Sequence, residues 1–149
     1  MILQILKNHT LICGCFAWFF CQALKILTFG LKTGKWKLRH FWDGGGMPSS
    51  HTAAVVSVTM TVGLKDGFSS TLFAVCAIFS AIVMYDAAGV RRETGKQGKL
   101  LNEILSWNDN PSSDIASGDM KERIGHSPLE VLTGAIIGII IAFLFSLAG

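Results

Sequence analysis

The chain alternates between long runs without charge and shorter segments where charge is concentrated. Residues 8–24 are uncharged between Lys7 and Lys25, residues 67–85 between Asp66 and Asp86, and residues 131–149 after Glu130. Each approaches the roughly 20 residues that carry a helix across a bilayer. A further run, residues 52–64 and so second in chain order, stops at Lys65. It is short for a crossing and gains length only by taking in the polar turn Pro48–His51. A helix there needs its polar N-terminal end held in protein, because hydrocarbon offers a backbone group no partner. Residues 93–105 follow another pattern. Leu100, Leu101, Ile104 and Leu105 form an apolar face beside Lys96 and Lys99, which predicts an amphipathic helix lying along the membrane surface. Residues 106–120, rich in Ser, Asn, Asp and Gly, predict a loop. The expected architecture is all-α: a multipass helical membrane protein with about four membrane-embedded helices plus an amphipathic cytoplasmic helix, in a single domain over 1–149.

Composition supports this. Half of the residues are hydrophobic and 15% are charged, against roughly 25% in soluble proteins. Mean hydropathy is +0.48. No small-x-small cleavage site precedes Lys25, so the first run is expected to be kept as a span. Cys13, Cys15, Cys21 and Cys76 all fall within apolar runs without metal-ligand spacing to a histidine, and read as small packing residues. Neither a metal nor another cofactor is expected.

The basic residues set an orientation. Lys25, Lys32, Lys35, Lys37 and Arg39 lie between the first and second runs by this reading, and Arg91, Arg92, Lys96, Lys99, Lys121 and Arg123 between the third and fourth. Only Lys7 and Lys65 fall on the other side. Basic loops stay cytoplasmic. Both polar segments are therefore expected on one face of the membrane, where their residues can meet. Anionic lipid headgroups account for some of these charges; nucleic acid is not an expected partner.

Three segments carry candidate chemistry. Gly44-Gly45-Gly46-Met47-Pro48-Ser49-Ser50-His51 is a glycine-rich loop running into the second apolar run. Glycine lets a backbone come close to a ligand, Pro48 suits the first helical position, and the N–H groups of a helix start attract anions. His51 adds an acid/base group. In the second segment, Asp86 stands at the end of an apolar run, followed by Arg91 and Arg92. The arginines suit a phosphate, and an acid at that depth needs a partner; an Asp86–arginine ion pair explains it equally well. The third is Gly125-His126-Ser127-Pro128-Leu129-Glu130. Ser127-x-x-Glu130 is a capping box with Pro128 in the first helical turn. Glu130 also stands four residues after His126 and could instead fix its tautomer, leaving the other nitrogen free to attack. These two uses of Glu130 compete. His9 and His40 read as membrane-interface residues.

Gly45–Ala53, Val83–Arg92 and Gly125–Val131, with Gln22-x-x-Lys25, together resemble the divergent PAP2 family, a membrane branch related to acid phosphatases and vanadium haloperoxidases. The resemblance covers nearly the whole chain. It implies His51 as general acid, His126 as nucleophile and Glu130 as its orienting acid. It further implies Lys25 and Arg91 or Arg92 as phosphate ligands. By the reading of the residues themselves, Ser49, Ser50, Gly45 and Gly46 are expected to line the phosphate loop and Asp86 to hold an arginine in place. The implied reaction is hydrolysis of a lipid phosphate or diphosphate, or of a small phosphorylated molecule, through a phosphohistidine and without a metal. Several superfamily features are altered. Lys32 and Arg39 keep a Lys-x6-Arg spacing, but His40 follows where proline is usual. Ser50 replaces a glycine, and Met120 stands six residues before His126 where an arginine is usual. These changes leave a second reading open, a non-catalytic membrane protein that keeps a phosphate or phospholipid pocket. Membrane lipid is the expected surrounding partner, and a homo-oligomer is compatible with the sequence.

Overall fold

The computed structural model describes residues 2–34, 46–106 and 126–148. These form six helices: α1 Ile2–Ile5, α2 His9–Thr33, α3 Ser50–Asp66, α4 Thr71–Ala88, α5 Val90–Ser106 and α6 Pro128–Ala148. No strand occurs among the described residues. Side-chain caps account for several helix starts. Asn8 accepts from the Leu11 amide at 3.1 Å, and Ser70 accepts from the Phe73 amide at 3.2 Å. α2 ends on Gly34 at φ 67°, a left-handed position that glycine adopts at no steric cost, and the Gly34 amide returns to the Gly30 carbonyl.

Three stretches are long and apolar enough to cross a membrane: His9–Leu31, Thr71–Ile104 and Pro128–Ala148. Large apolar side chains stand exposed along them, among them Ile78, Phe79 and Ile82 on α4 and Leu144 on α6. So much contiguous apolar surface suits lipid rather than water. α3, with 17 residues, is not one of the three. It lies at the centre and packs on α2, α4 and α6.

α3 can occupy the centre because its buried positions are small or hydroxylated: Ser50, Thr52, Ala53, Ser57, Thr59 and Thr61. Lipid gives helices no hydrophobic drive to associate, so close approach of small residues must supply the attraction. α6 meets α3 through Gly134-x-x-x-Gly138. A Cβ at Gly138 would come within 2.6 Å of the Ala53 carbonyl, and one at Gly134 would overlap the Ser49 carbonyl. On the opposite side, Gly14 of α2 faces Val58. The buried hydroxyls are satisfied locally or across helices. Ser57 donates to the Ala54 carbonyl at 2.8 Å and Thr61 to the Ser57 carbonyl at 2.8 Å. Thr59 and Ser80 share a hydrogen bond of 2.8 Å between α3 and α4.

Several boundaries differ from the sequence expectation. The first span does not stop at Lys25; α2 runs eight residues further, so Lys25 belongs to a helix and not to a loop. Pro48 precedes the cap of α3 instead of opening its first turn, because Ser49 takes the capping position. The third span starts at Thr71, after a turn in which the rings of Phe68 and Phe73 pack edge to face, and continues through Asp86. The amphipathic helix starts at Val90, directly after Gly89, so α5 follows α4 almost without a break. Its Leu100, Leu101 and Ile104 are exposed. Of the predicted loop, Ser106 closes α5 and the remainder lies outside the described residues, as do Gly44, Gly45 and His40.

The α3–α6 contact makes a direct prediction. Gly138→Ala should lower the stability of the detergent-solubilised protein by about 1–3 kcal/mol, the range for overpacking a tight contact. Gly98→Ala on α5, where nothing lies within 4 Å of an added Cβ, should be neutral or stabilising. Equal behaviour of the two variants in unfolding measurements would contradict this packing.

Candidate functional site

The end of the bundle where α3 and α6 begin collects most of the chemistry-bearing residues. Ser49 starts α3. Its hydroxyl accepts from the Thr52 amide at 3.5 Å and from the Thr52 hydroxyl at 3.0 Å. Its own amide donates to the Glu130 carbonyl at 3.0 Å. Both polar groups of Ser49 are thus engaged with protein. Ser50 is also buried, and its hydroxyl accepts from Lys25 Nζ at 3.4 Å. Thr28 Oγ1 lies 3.1 Å from the Met47 carbonyl and fastens the loop before α3 to α2. Gly46 in that loop is exposed at φ 94°, a conformation suited to glycine.

Lys25 is 4% exposed, and Gln22, one turn earlier on α2, is 3% exposed. A lysine is rarely buried to this degree without a role for its charge. It reaches the site from within α2, so counting it among the loop charges placed it wrongly. The polar pair Gln22 and Lys25 at helical spacing inside an apolar run was the signal for it.

His126 sits just ahead of α6 and is 2% exposed. Its amide donates to the Ala87 carbonyl at 3.2 Å, which ties it to the end of α4. Its Nδ1 lies 3.2 Å from Glu130 Oε2. The same Oε2 accepts from the Ser127 amide at 3.0 Å, while Ser127 Oγ accepts from the Glu130 amide at 3.4 Å. The capping box and the His126 contact therefore coexist on one carboxylate oxygen, and the expected competition between them does not arise. An ionised carboxylate only accepts, so Nδ1 carries the proton and Nε2 keeps its lone pair. Nε2 is buried and has no hydrogen-bond partner among the described residues.

The surrounding charges are positive. His126 is held below its ordinary value of 6.5 by burial first and by Lys25 next; the Glu130 contact opposes the shift, and Arg91 adds to it. His51, exposed in the first turn of α3, is also lowered, first by partial desolvation and then by Arg91, Lys25 and His126. These couplings draw Lys25, His51, Arg91 and His126 into one electrostatic group. Arg91 is reached from α5, where its Nε donates to Asp86 Oδ2 at 2.8 Å; the two side chains are 59% and 39% exposed. The ion pair that the sequence left open for Asp86 is therefore made with Arg91. Arg92 is exposed on α5, and its neighbour Glu93 pairs with Lys96 at 2.6 Å. Gly45 lies outside the described residues. No group of three or more His, Cys, Asp or Glu suited to a metal occurs among the described residues.

The model for the divergent PAP2 family matches residues 6–141. The chain belongs to that family. A curated relative, the uncharacterised membrane protein YuiD of Bacillus subtilis (strain 168), is 34% identical over 154 residues, covering 97% of this chain and 98% of the relative. No solved structure matches. Membership of the divergent PAP2 family and three spanning-length helices make this a membrane protein. The described parts of the three segments singled out in the sequence (46–53, 83–92 and 126–131) meet at one end of the bundle through the Ser49–Glu130 and His126–Ala87 backbone bonds, although Gly134-x-x-x-Gly138, which brings α6 onto α3, lies outside them.

The histidine environments have a pH consequence. Both folded values lie below the unfolded value of about 6.5. Well above that pH the histidines are neutral in both states and impose no penalty. As pH falls through about 6.5 toward the lower folded values, the unfolded chain gains protons first and the fold loses stability. In histidine-selective NMR titrations, His126 should titrate below 6.5. Glu130→Gln should move it further down and Lys25→Met should move it up. Opposite displacements would refute the assigned contacts.

Proposed function

We propose that the protein is a metal-independent phosphatase acting on a lipid phosphate or diphosphate. The observation that carries this reading is His126, whose Nδ1 meets Glu130 while its buried Nε2 lacks a partner among the described residues, in a group that includes Lys25 and Arg91. An activated imidazole held by a carboxylate is the arrangement of a nucleophile. In the proposed reaction, Nε2 attacks phosphorus and the bond to the leaving oxygen breaks. His51 gives that oxygen its proton. His51 then takes a proton from water, whose oxygen attacks phosphorus; the N–P bond breaks and inorganic phosphate leaves. Lys25, Arg91 and the amides at the start of α3 would hold the phosphoryl oxygens as charge shifts among them.

Membrane placement supports a lipid substrate. Among the described residues Arg91, Lys96 and Lys99 extend from this end on α5, and the distribution of Lys and Arg along the sequence favours a cytoplasmic orientation for it. The amphipathic α5 would then lie along that surface. The lowered histidines also suit an anionic ligand, because a bound phosphate would offset the neighbouring cations and favour a protonated His51.

One observation favours the non-catalytic alternative. Arg91 is paired with Asp86 and largely exposed, so its charge is partly compensated before any phosphate arrives. Phosphate release by the purified protein from a panel of lipid phosphates and diphosphates separates the two readings. The enzyme reading expects His126→Ala to reduce release to background. It expects His51→Ala to reduce it by about 100- to 10,000-fold, with a smaller loss when the leaving group is already a good one. Release by the wild type no greater than by His126→Ala across the panel would leave only the binding reading.

A further inference from the structure

An apolar groove lies below the polar end of the bundle and takes no part in the proposed chemistry. α2 and α4 each pack on α3, and between them part of α3 forms a floor. The groove has a volume of about 360 Å³, and its lining includes Cys15 and Trp18 of α2, Ala54 and Val58 of α3, and Cys76 and Phe79 of α4. That is within the usual range of small-molecule sites, roughly 300–1,000 Å³. Ala54 and Thr59 both line it, so at 1.5 Å per residue its floor runs from about 6 to about 14 Å below Ser50. One leaflet of a hydrocarbon core of roughly 30 Å is about 15 Å deep. Measured along α3 from Ser50, the groove therefore spans about the depth of a single leaflet below the cationic group.

We propose that this groove is the binding site for one hydrocarbon chain of the lipid whose phosphate occupies the polar end. The inference rests on the phosphate reading of that end but not on catalysis. The same three helices build both parts. α2 carries Trp18 in the groove and Lys25 above it, α3 carries Ala54 and Ser50, and α4 carries Phe79 and leads into Asp86. An amphiphile with an anionic head matches this sequence of environments: cationic at the top, hydrocarbon along one leaflet below. Its charge decides among membrane lipids, because a zwitterionic head would bring its own ammonium beside Lys25 and Arg91. A second chain, where the lipid has one, stays in the bilayer. The opening between α2 and α4 lets the lipid enter sideways without leaving the membrane.

The test uses the full chain in bilayers with Trp36, Trp42 and Trp107 replaced by Phe, leaving Trp18 as the reporter. Dodecyl phosphate brominated near its chain end is added at low mole fraction to unbrominated phosphatidylcholine. Brominated phosphatidylcholine at the same fraction measures random contact. Trp18 quenching by the alkyl phosphate should exceed that by the phosphatidylcholine. Cys15→Phe, which fills the groove from an exposed position, should abolish the excess. Ile78→Phe, on the exposed part of α4 outside the lining, should leave it intact. Equal quenching by both lipids, an excess that survives Cys15→Phe, or quenching that instead falls as protein density rises, as when a second copy covers the groove, would overturn the proposal. Excess quenching with no phosphate release would retain the groove and reject only the phosphatase.

Discussion

Glu130 holds the site together through both of its carbonyl-bearing groups. Its backbone carbonyl receives the Ser49 amide, joining the start of α3 to the first turn of α6. Its carboxylate receives the Ser127 amide and faces His126 Nδ1. One residue therefore couples the glycine-rich loop, the cap of α6 and the tautomer of the buried histidine. The backbone bond needs the two helices to cross closely, and Gly134 provides the space, since a Cβ there would overlap the Ser49 carbonyl. Removing the carboxylate would disturb helix start and imidazole together, so the structural and chemical uses of this residue cannot be separated by deleting it.

The membrane explains why the centre of the bundle is built from α3. A helix packed on three sides by protein needs a lipid-compatible surface only along the strip left open between α2 and α4. It can be short, and it can carry Ser50, Thr52, Ser57, Thr59 and Thr61 at buried positions provided the hydroxyls find acceptors. The apolar residues of α2, α4 and α6 meet the lipid instead. This division brings the polar N-terminus of α3 to the membrane boundary while keeping it inside protein. It also allows Lys25 to stay buried beside Ser50, where a lysine facing hydrocarbon would be costly.

Much of this was legible in the sequence because charge-free runs report membrane helices directly. The unusual length of the second run already implied that its polar end was sheltered. Helix ends were less legible. Lys25 ended an uncharged run and so looked like a boundary, yet α2 carries it inward because a neighbouring helix supplies Ser50 as a partner. Ser49 looked like part of an anion loop, but its hydroxyl and amide both serve the protein. Arg91 and Arg92 could not be distinguished by sequence. The turn at Gly89 and the pairing with Asp86 make Arg91 the one that bears on the histidines. The close crossing at Gly134 and Gly138 was written in the sequence as a small-residue spacing, but only the packing reveals which helix it meets.

The central claim is that His126 Nε2 is a poised nucleophile, and covalent capture tests it most directly. Purified protein in bilayers is mixed with radiolabelled lipid phosphate and quenched in alkali within a single turnover. The account predicts an acid-labile, alkali-stable phosphoryl group on the protein, mapped to the peptide containing His126, formed by the wild type and not by His126→Ala. A label on another residue, or one that persists in His126→Ala, would contradict it, as would phosphate release with no phosphoprotein at any quench time.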